Sequence, residues 1–317
     1  MRDLRIVFMG TPEFAVYSLK AIVEAGFNVV GVITAPDRPA GRGRKLQESA
    51  VKTYAKEQNL KILQPVNLKA EAFLEELKAL EANLQVVVAF RMLPEAVWKM
   101  PEYGTFNLHA SLLPQYRGAA PINWAIINGE NETGVSTFFI DEKIDTGEMI
   151  MQEKVAIEPK ESAGELHDKL METGAALIIK TLEALQKGPV NTTSQKDIVQ
   201  SDLKPALKLT RENTRIDWEQ PLETIFNHIR GLSPYPTAWT TLFNGNEEVM
   251  LKIYKSELEP AEHHYPVGKL LQEDKKVKVA VKNGFLVLQE IQLPGKKKMA
   301  VKDLLNGYEF YSNAKVV

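Results

Sequence analysis

Short apolar runs separated by amphipathic segments dominate the first half of the chain. Residues 4–9 and 27–33 are apolar runs, and the segment between them repeats its apolar positions at helical spacing. Residues 84–90 are apolar except for Gln85, as in a strand that is covered on both faces of a parallel sheet. This order predicts an α/β domain with a doubly wound, Rossmann-like, mostly parallel sheet. The first turn lacks the G-x-G-x-x-G pattern, so it does not indicate a dinucleotide.

The last third of the chain changes to short runs in which apolar and polar residues alternate. Asn283-Gly284, between two of these runs, is a strong hairpin signal. Five such strands fit a small closed barrel, and OB-type barrels commonly bind oligonucleotides. The five runs are residues 238–243, 249–256, 268–272, 276–282 and 285–293.

These two patterns predict two domains. Residues 188–196 lack periodicity and are rich in turn-forming residues, which is typical of a connection between domains. We therefore predict a Rossmann-like domain at residues 1–188, a linker at residues 189–208, and a smaller OB-like β-barrel domain at residues 209–317.

The end of one predicted strand carries the candidate chemistry. Asn107 and His109 are two residues apart on a strand and so share one face, and a loop rich in Pro and Gly follows them. Open α/β sheets bind ligands outside the carboxyl ends of their strands. Asp145 adds a carboxylate from a later loop. An amide, an imidazole and a carboxylate suit acyl transfer between nitrogen atoms, although such a pair on a strand is also compatible with a purely structural role.

The region resembles the signature of the folate-dependent formyltransferases. Two further stretches, Gly10–Ala15 and Pro36–Gly43, are similar to the branch of this family that formylates methionyl initiator tRNA. The similarity runs in order along almost the whole chain. Four motifs carry the resemblance: Asn107-Leu-His109, Ser111-Leu-Leu-Pro114, Tyr116-Arg-Gly118 and Asp145-Thr-Gly147.

The resemblance implies the roles of individual residues. Asn107, His109 and Asp145 would be catalytic, and 10-formyltetrahydrofolate would be the formyl donor. Many family members carry a Gly and a longer loop where this chain has Arg91-Met92, so this chain departs from the family pattern there. The residues expected to contact folate are Ser111, Leu112, Leu113, Pro114, Arg91, Met92 and Leu93.

Two basic segments are candidates for contacts with tRNA. The loop from Pro36 to Lys45 interleaves cations with Pro and Gly, so it is either a solvated loop or a basic arm that orders against phosphates. In the family, the loop is associated with the acceptor stem of the tRNA. The residues expected to contact tRNA are Arg38, Arg42, Arg44, Lys45, Lys296, Lys297 and Lys298.

Composition removes several other classes of protein. The chain has 39 basic and 41 acidic residues and no Cys, so thiolate nucleophiles and zinc-thiolate sites are excluded. His263-His264 has no further ligand at metal spacing, so we expect no metal. No apolar run approaches the length that is needed to span a membrane. We expect a monomeric cytoplasmic protein. The open alternatives are a formyltransferase that acts on a small amine, namely a purine precursor or a nucleotide amino sugar, and a non-catalytic RNA-binding protein.

Overall fold

The computed structural model describes residues 1–40, 45–198 and 203–317, with the backbone alone at Ala40 and Lys45. The chain divides into two compact units. The first comprises residues 1–118, 133–155 and 167–205. The second comprises residues 119–132, 156–166 and 206–317, so it includes two segments that precede the predicted linker. In the described residues, no helix is long and apolar enough to cross a membrane.

The first part of the chain forms a seven-stranded sheet with flanking helices. Its elements are β1 (Arg5–Gly10), α1 (Glu13–Glu24), β2 (Asn28–Ile33), β3 (Arg38–Ala40), β4 (Lys45–Gln47), α2 (Ala50–Glu57), β5 (Ile62–Leu63), α3 (Glu71–Lys78), β6 (Leu84–Val88), α4 (Glu95–Trp98), β7 (Thr105–His109), α5 (Pro121–Ile127), β8 (Glu132–Phe139), β9 (Met149–Ala156) and α6 (Ala163–Lys187).

The order of the strands is β5-β2-β1-β6-β7-β8-β9. Pairing is parallel from β5 through β7, and β8 joins β7 antiparallel. The strand order reverses between β1 and β6, which is the feature that opens a crevice at the carboxyl ends of the strands. The predicted doubly wound, mostly parallel sheet is confirmed.

Local sequence signals account for several of these elements. Ser49 caps α2, because its hydroxyl accepts the Lys52 N–H at 3.1 Å. Ser162 and Glu165 form a reciprocal capping box at the start of α6, with bonds of 2.8 and 3.3 Å. β3 and β4 form a separate two-stranded antiparallel sheet outside both main sheets.

The second unit contains a nearly closed antiparallel barrel, as the sequence predicted. Its strand order is β12-β13-β14-β11-β10-β16, and β15 pairs with β14. The elements are α7 (Leu222–Leu232), β10 (Ala238–Asn244), β11 (Glu247–Pro260), β12 (Leu270–Glu273), β13 (Lys276–Val281), β14 (Gly284–Gln292), β15 (Met299–Ala300), α8 (Val301–Leu304) and β16 (Lys315–Val316).

Two backbone hydrogen bonds close the barrel beside β16. The Val316 N–H donates to the Gly268 carbonyl at 2.8 Å, and the Leu270 N–H donates to the Ala314 carbonyl at 3.0 Å. Gly268 has a φ of +81°, and a Cβ there would lie 2.3 Å from the Val316 carbonyl oxygen. The closure therefore depends on glycine at this position, both for the backbone angle and for space.

We predict that Gly268→Ala destabilises the barrel far more than Gly295→Ala. Gly295 also has a positive φ of +72°, but a methyl group on its Cα would have no other atom within 4 Å. The control therefore carries only the left-handed backbone strain, about 1–2 kcal/mol, whereas Gly268→Ala adds a clash with the closing strand. Chemical denaturation measures both changes. Equal losses in the two variants would show that the closure tolerates a side chain.

Candidate active site

Asn107 and His109 lie side by side at the carboxyl end of β7. The backbone of Asn107 is paired with Val87 of β6 on one side and Phe138 of β8 on the other. Its side chain is half-buried, and its amide makes no hydrogen bond within the described part of the chain. An open amide fixed on a central strand is available to a bound molecule.

His109 is held in one orientation by the loop that follows it. The side chain is buried, and its Nε2 lies 2.8 Å from the Tyr116 carbonyl oxygen. Because a carbonyl oxygen only accepts, Nε2 carries the proton that it donates. This leaves Nδ1 on the side of Asp145, whose Oδ2 lies 3.7 Å away. The ring nitrogen that can gain or lose a proton therefore faces the carboxylate.

Asp145 is positioned by its own loop and by the backbone of Gly118. The Gly118 N–H donates to Oδ2 at 3.0 Å. Asp141 turns the preceding residues, because its Oδ1 accepts the Lys143 N–H at 2.9 Å and the Thr146 hydroxyl at 2.7 Å. Asp145 itself has a φ of +55°, a conformation that Asp tolerates better than most residues. The candidate catalytic carboxylate is thus fixed before any ligand binds.

A buried polar group organises the Ser111–Pro114 loop. The Ser136 hydroxyl donates to the Ser111 carbonyl at 2.6 Å and accepts the Leu113 N–H at 3.1 Å. Gln152 donates to both the Ser136 hydroxyl and the Leu113 carbonyl, at 2.8 and 2.9 Å. Sequence reasoning missed Ser136 and Gln152, because neither belongs to a recognisable motif.

The residues predicted to contact folate fall into two groups. Leu113 and Leu93 are buried in apolar clusters, so their side chains serve the core. Leu112 is half-buried, and Met92 is 73% exposed. Of these four side chains, only Met92 and Leu112 therefore remain accessible to a bound molecule.

The Arg91 side chain is hydrogen-bonded to the backbone of a neighbouring loop. Its guanidinium group donates to the Val66 carbonyl at 2.9 Å and to the Pro65 carbonyl. Partial burial, followed by the positive charge of Arg38, lowers the pKa of the Arg91 guanidinium. Two cations therefore lie close enough to repel one another beside the carboxyl ends of β5 and β6.

The structure describes only some of the residues that are predicted to contact tRNA. Arg38 is exposed on β3, the backbone of Lys45 starts β4, and Arg42 and Arg44 lie outside the described residues. In the second unit, Lys296, Lys297 and Lys298 are exposed. The Lys298 ammonium group lies 2.9 Å from a Glu290 carboxylate oxygen and 5.4 Å from the centre of the Tyr254 ring.

An outward face of the barrel adds cations that sequence reasoning missed. Trp239 is half-buried, and the guanidinium carbons of Arg211 and Arg215 lie 5.1 and 5.7 Å from its ring centre. Lys252 is the cross-strand partner of Trp239. Aromatic rings combined with cations on a barrel surface are typical of single-stranded nucleic-acid binding.

The described residues contain no group of three or more His, Cys, Asp or Glu side chains that could hold a metal ion.

Comparison with known proteins identifies the class of protein to which the chain belongs. A family model described as formyl transferase matches residues 4–182, and one for the formyl transferase C-terminal domain matches residues 208–309. A sugar 3N-formyl transferase structure determined with dTDP and 5-N-formyl-THF has a TM-score of 0.64 and 21% identity, covering 94% of this chain and 100% of its own. The fold and the matched regions together define a formyltransferase.

Sequence relatives identify the family of formyltransferases to which the chain belongs. A methionyl-tRNA formyltransferase from Flavobacterium johnsoniae is 60% identical over 316 residues, covering 100% of each chain. Another from Parabacteroides distasonis is 55% identical and covers 97% of this chain and 96% of its own. The chain belongs to the methionyl-tRNA formyltransferase family, and the resemblance seen in the sequence is confirmed.

We predict that Ser136→Ala loosens the Ser111–Pro114 loop. The substitution leaves the buried Leu113 N–H without its partner, which costs about 1–3 kcal/mol of stability. Hydrogen exchange at residues 111–114 should accelerate, and chemical denaturation should show the loss. The matched control is Ser194→Ala, because within the described residues the half-buried Ser194 hydroxyl accepts only the nearby Lys196 N–H, at 3.3 Å. Unchanged exchange in Ser136→Ala would remove Ser136 from this role.

Proposed function

We propose that the chain transfers the formyl group of 10-formyltetrahydrofolate to the α-amino group of methionyl initiator tRNA. The observation that carries the proposal is the convergence of Asn107, His109 and Asp145 at one strand end, in a chain similar over its full length to methionyl-tRNA formyltransferases. The reaction supplies the formylated initiator for translation.

The geometry supports a direct transfer between nitrogen atoms. A free α-amine has a pKa of about 8, so a neutral fraction is present near neutral pH. Its attack places negative charge on the formyl oxygen. The open Asn107 amide and a charged His109 ring stabilise that charge. Asp145 orients His109 and accepts the amine proton, either directly or through water. Collapse of the tetrahedral intermediate breaks the bond between the formyl carbon and N10 of the folate, and the proton passes to N10, so that tetrahydrofolate leaves.

The folate subsite is the crevice beside the Ser111–Pro114 loop. This loop presents a half-buried Leu112 and backbone groups that Ser136 fixes. A flat heteroaromatic ring with donors and acceptors at its edge suits such an apolar surface with few polar groups. A related fold, HypX from Aquifex aeolicus in complex with tetrahydrofolic acid, has a TM-score of 0.62, covering 96% of this chain and 47% of its own. At 19% identity, that likeness concerns the fold alone.

The tRNA would be bound by cations of both units. In the first unit, Arg38 is exposed on β3 and would contact a phosphate. In the second unit, Trp239 with Arg211 and Arg215 offers a stacking platform with positive charge. The barrel therefore supplies affinity for RNA, and the sheet supplies the chemistry.

The direct test is an assay of formyl transfer from formylfolate to three acceptors. Charged initiator tRNA should be formylated, and a nucleotide amino sugar and a purine precursor amine should not. Preferential formylation of either small amine would replace the proposed substrate. No transfer to any acceptor, together with RNA binding, would favour the non-catalytic alternative.

We predict that His109→Ala and Asp145→Asn each lower kcat by roughly 100-fold or more, the range for acid–base and oxyanion groups. Binding of formylfolate should change little, because neither change removes the folate surface. Steady-state kinetics and equilibrium folate binding measure the two effects separately. A near-normal kcat in either variant would exclude that residue from the mechanism.

We predict that Arg211→Gln weakens tRNA binding and reduces its dependence on salt. Loss of one phosphate contact lowers the log–log slope by about 0.7–0.9. Lys180→Gln is the charge-matched control, because Lys180 is exposed on α6 and pairs with Glu153 at 3.0 Å. Affinity is measured across a salt series. The same slope in both variants would show that this face of the barrel does not contact the RNA backbone.

A further inference from the structure

Two described stretches, residues 193–198 and 203–204, contact both loops of the candidate active site. Thr193 and Met149 exchange two backbone hydrogen bonds of 2.9 Å. Farther along, the Lys204 carbonyl accepts the Tyr116 N–H at 2.8 Å, and the Lys204 N–H donates to the Gln115 side chain at 2.8 Å. Tyr116 is the residue whose carbonyl holds His109. These two stretches therefore make direct hydrogen bonds to the parts of the chain that follow His109 and Asp145.

Gln195 is the buried centre of this contact, with 1% of its surface exposed. Its Nε2 donates to the Gly147 carbonyl at 2.7 Å and to the Asp145 carbonyl at 3.1 Å. Its Oε1 accepts from Arg117 Nη2 at 2.6 Å and from Arg117 Nε at 3.1 Å. The Gln195 Nε2 thus donates two hydrogen bonds to the loop that carries Asp145, and its Oε1 accepts two hydrogen bonds from Arg117 on the loop that follows His109.

We propose that Gln195 is a positioning residue that sets the separation between Asp145 and His109; this inference rests on the proposed function. Arg117 directly follows Tyr116, which orients the His109 ring, and the other end of the amide holds the Asp145 backbone. One side chain therefore ties the two halves of the catalytic pair together. Because Nδ1 and Oδ2 are 3.7 Å apart, beyond a hydrogen bond, a small displacement decides whether they interact.

The chemistry of the amide makes the position specific. A glutamate there would keep an acceptor for Arg117 but could not donate to the two carbonyl groups, and its oxygen would repel them. An alanine would remove both links. Gln195→Glu and Gln195→Ala therefore test the donor half and the whole bridge separately.

The first experiment compares Gln195→Ala, Gln195→Glu and the neighbouring control Ser194→Ala in the full-length protein. Both Gln195 variants should lower kcat for initiator tRNA by about 10- to 100-fold, as expected for a displaced catalytic group. KM values for formylfolate and tRNA should stay within about threefold. Ser194→Ala should match the unmodified protein. A normal kcat in Gln195→Glu would overturn the proposal, because it would show that the two donated bonds are dispensable.

The second experiment repeats the Gln195 changes in an Asp145→Asn background. If Gln195 acts through Asp145, either change should lower kcat by less than about threefold further, because residues that act as a unit are not additive. A multiplicative loss would overturn the proposal and leave a general structural role. Should Gln195→Ala fail to fold, the Gln195→Glu cycle decides alone. The proposed function fails differently, through an inactive unmodified protein or a normal kcat in Asp145→Asn.

Discussion

The hydrogen bond from His109 Nε2 to the Tyr116 carbonyl is the constraint on which the rest of the site depends. It decides which ring nitrogen carries the fixed proton and so turns Nδ1 toward Asp145. The Tyr116 N–H in turn donates to the Lys204 carbonyl at 2.8 Å, which helps to fix the position of this residue. The tautomer of this candidate catalytic histidine is therefore set by the backbone of a loop that is itself hydrogen-bonded to a distant part of the chain.

The fold was largely accessible from the sequence, because buried strands and barrel strands leave strong local patterns. The central strand β6 is apolar apart from Gln85 because all five of its residues are buried. Asn283-Gly284 lies at the turn between β13 and β14, and this dipeptide predicts a hairpin from local sequence alone. The short β16 was not predicted, because a two-residue strand has no periodicity. Its place follows only from the bonds that this end of the chain makes to Thr241 and Gly268.

The candidate site was accessible in part. The strand that carries Asn107 and His109 was predicted from alternation, and Asp145 was chosen as a carboxylate in a later loop; the family resemblance then implied catalytic roles for all three. Ser136 and Gln195 had no such signal, because their roles arise from contacts between segments far apart in the chain. Leu113 and Leu93 show the converse, since a residue can belong to a motif and still turn its side chain into the core.

The Tyr116 carbonyl presets the His109 tautomer before any substrate binds. Nitrogen-15 NMR of the histidine rings in the free protein tests this most directly, with the signal of His109 identified among the five histidines by its loss in a His109 variant. When the ring is neutral, we expect a proton on Nε2 and a bare Nδ1. A proton on Nδ1 with a bare Nε2 would contradict it.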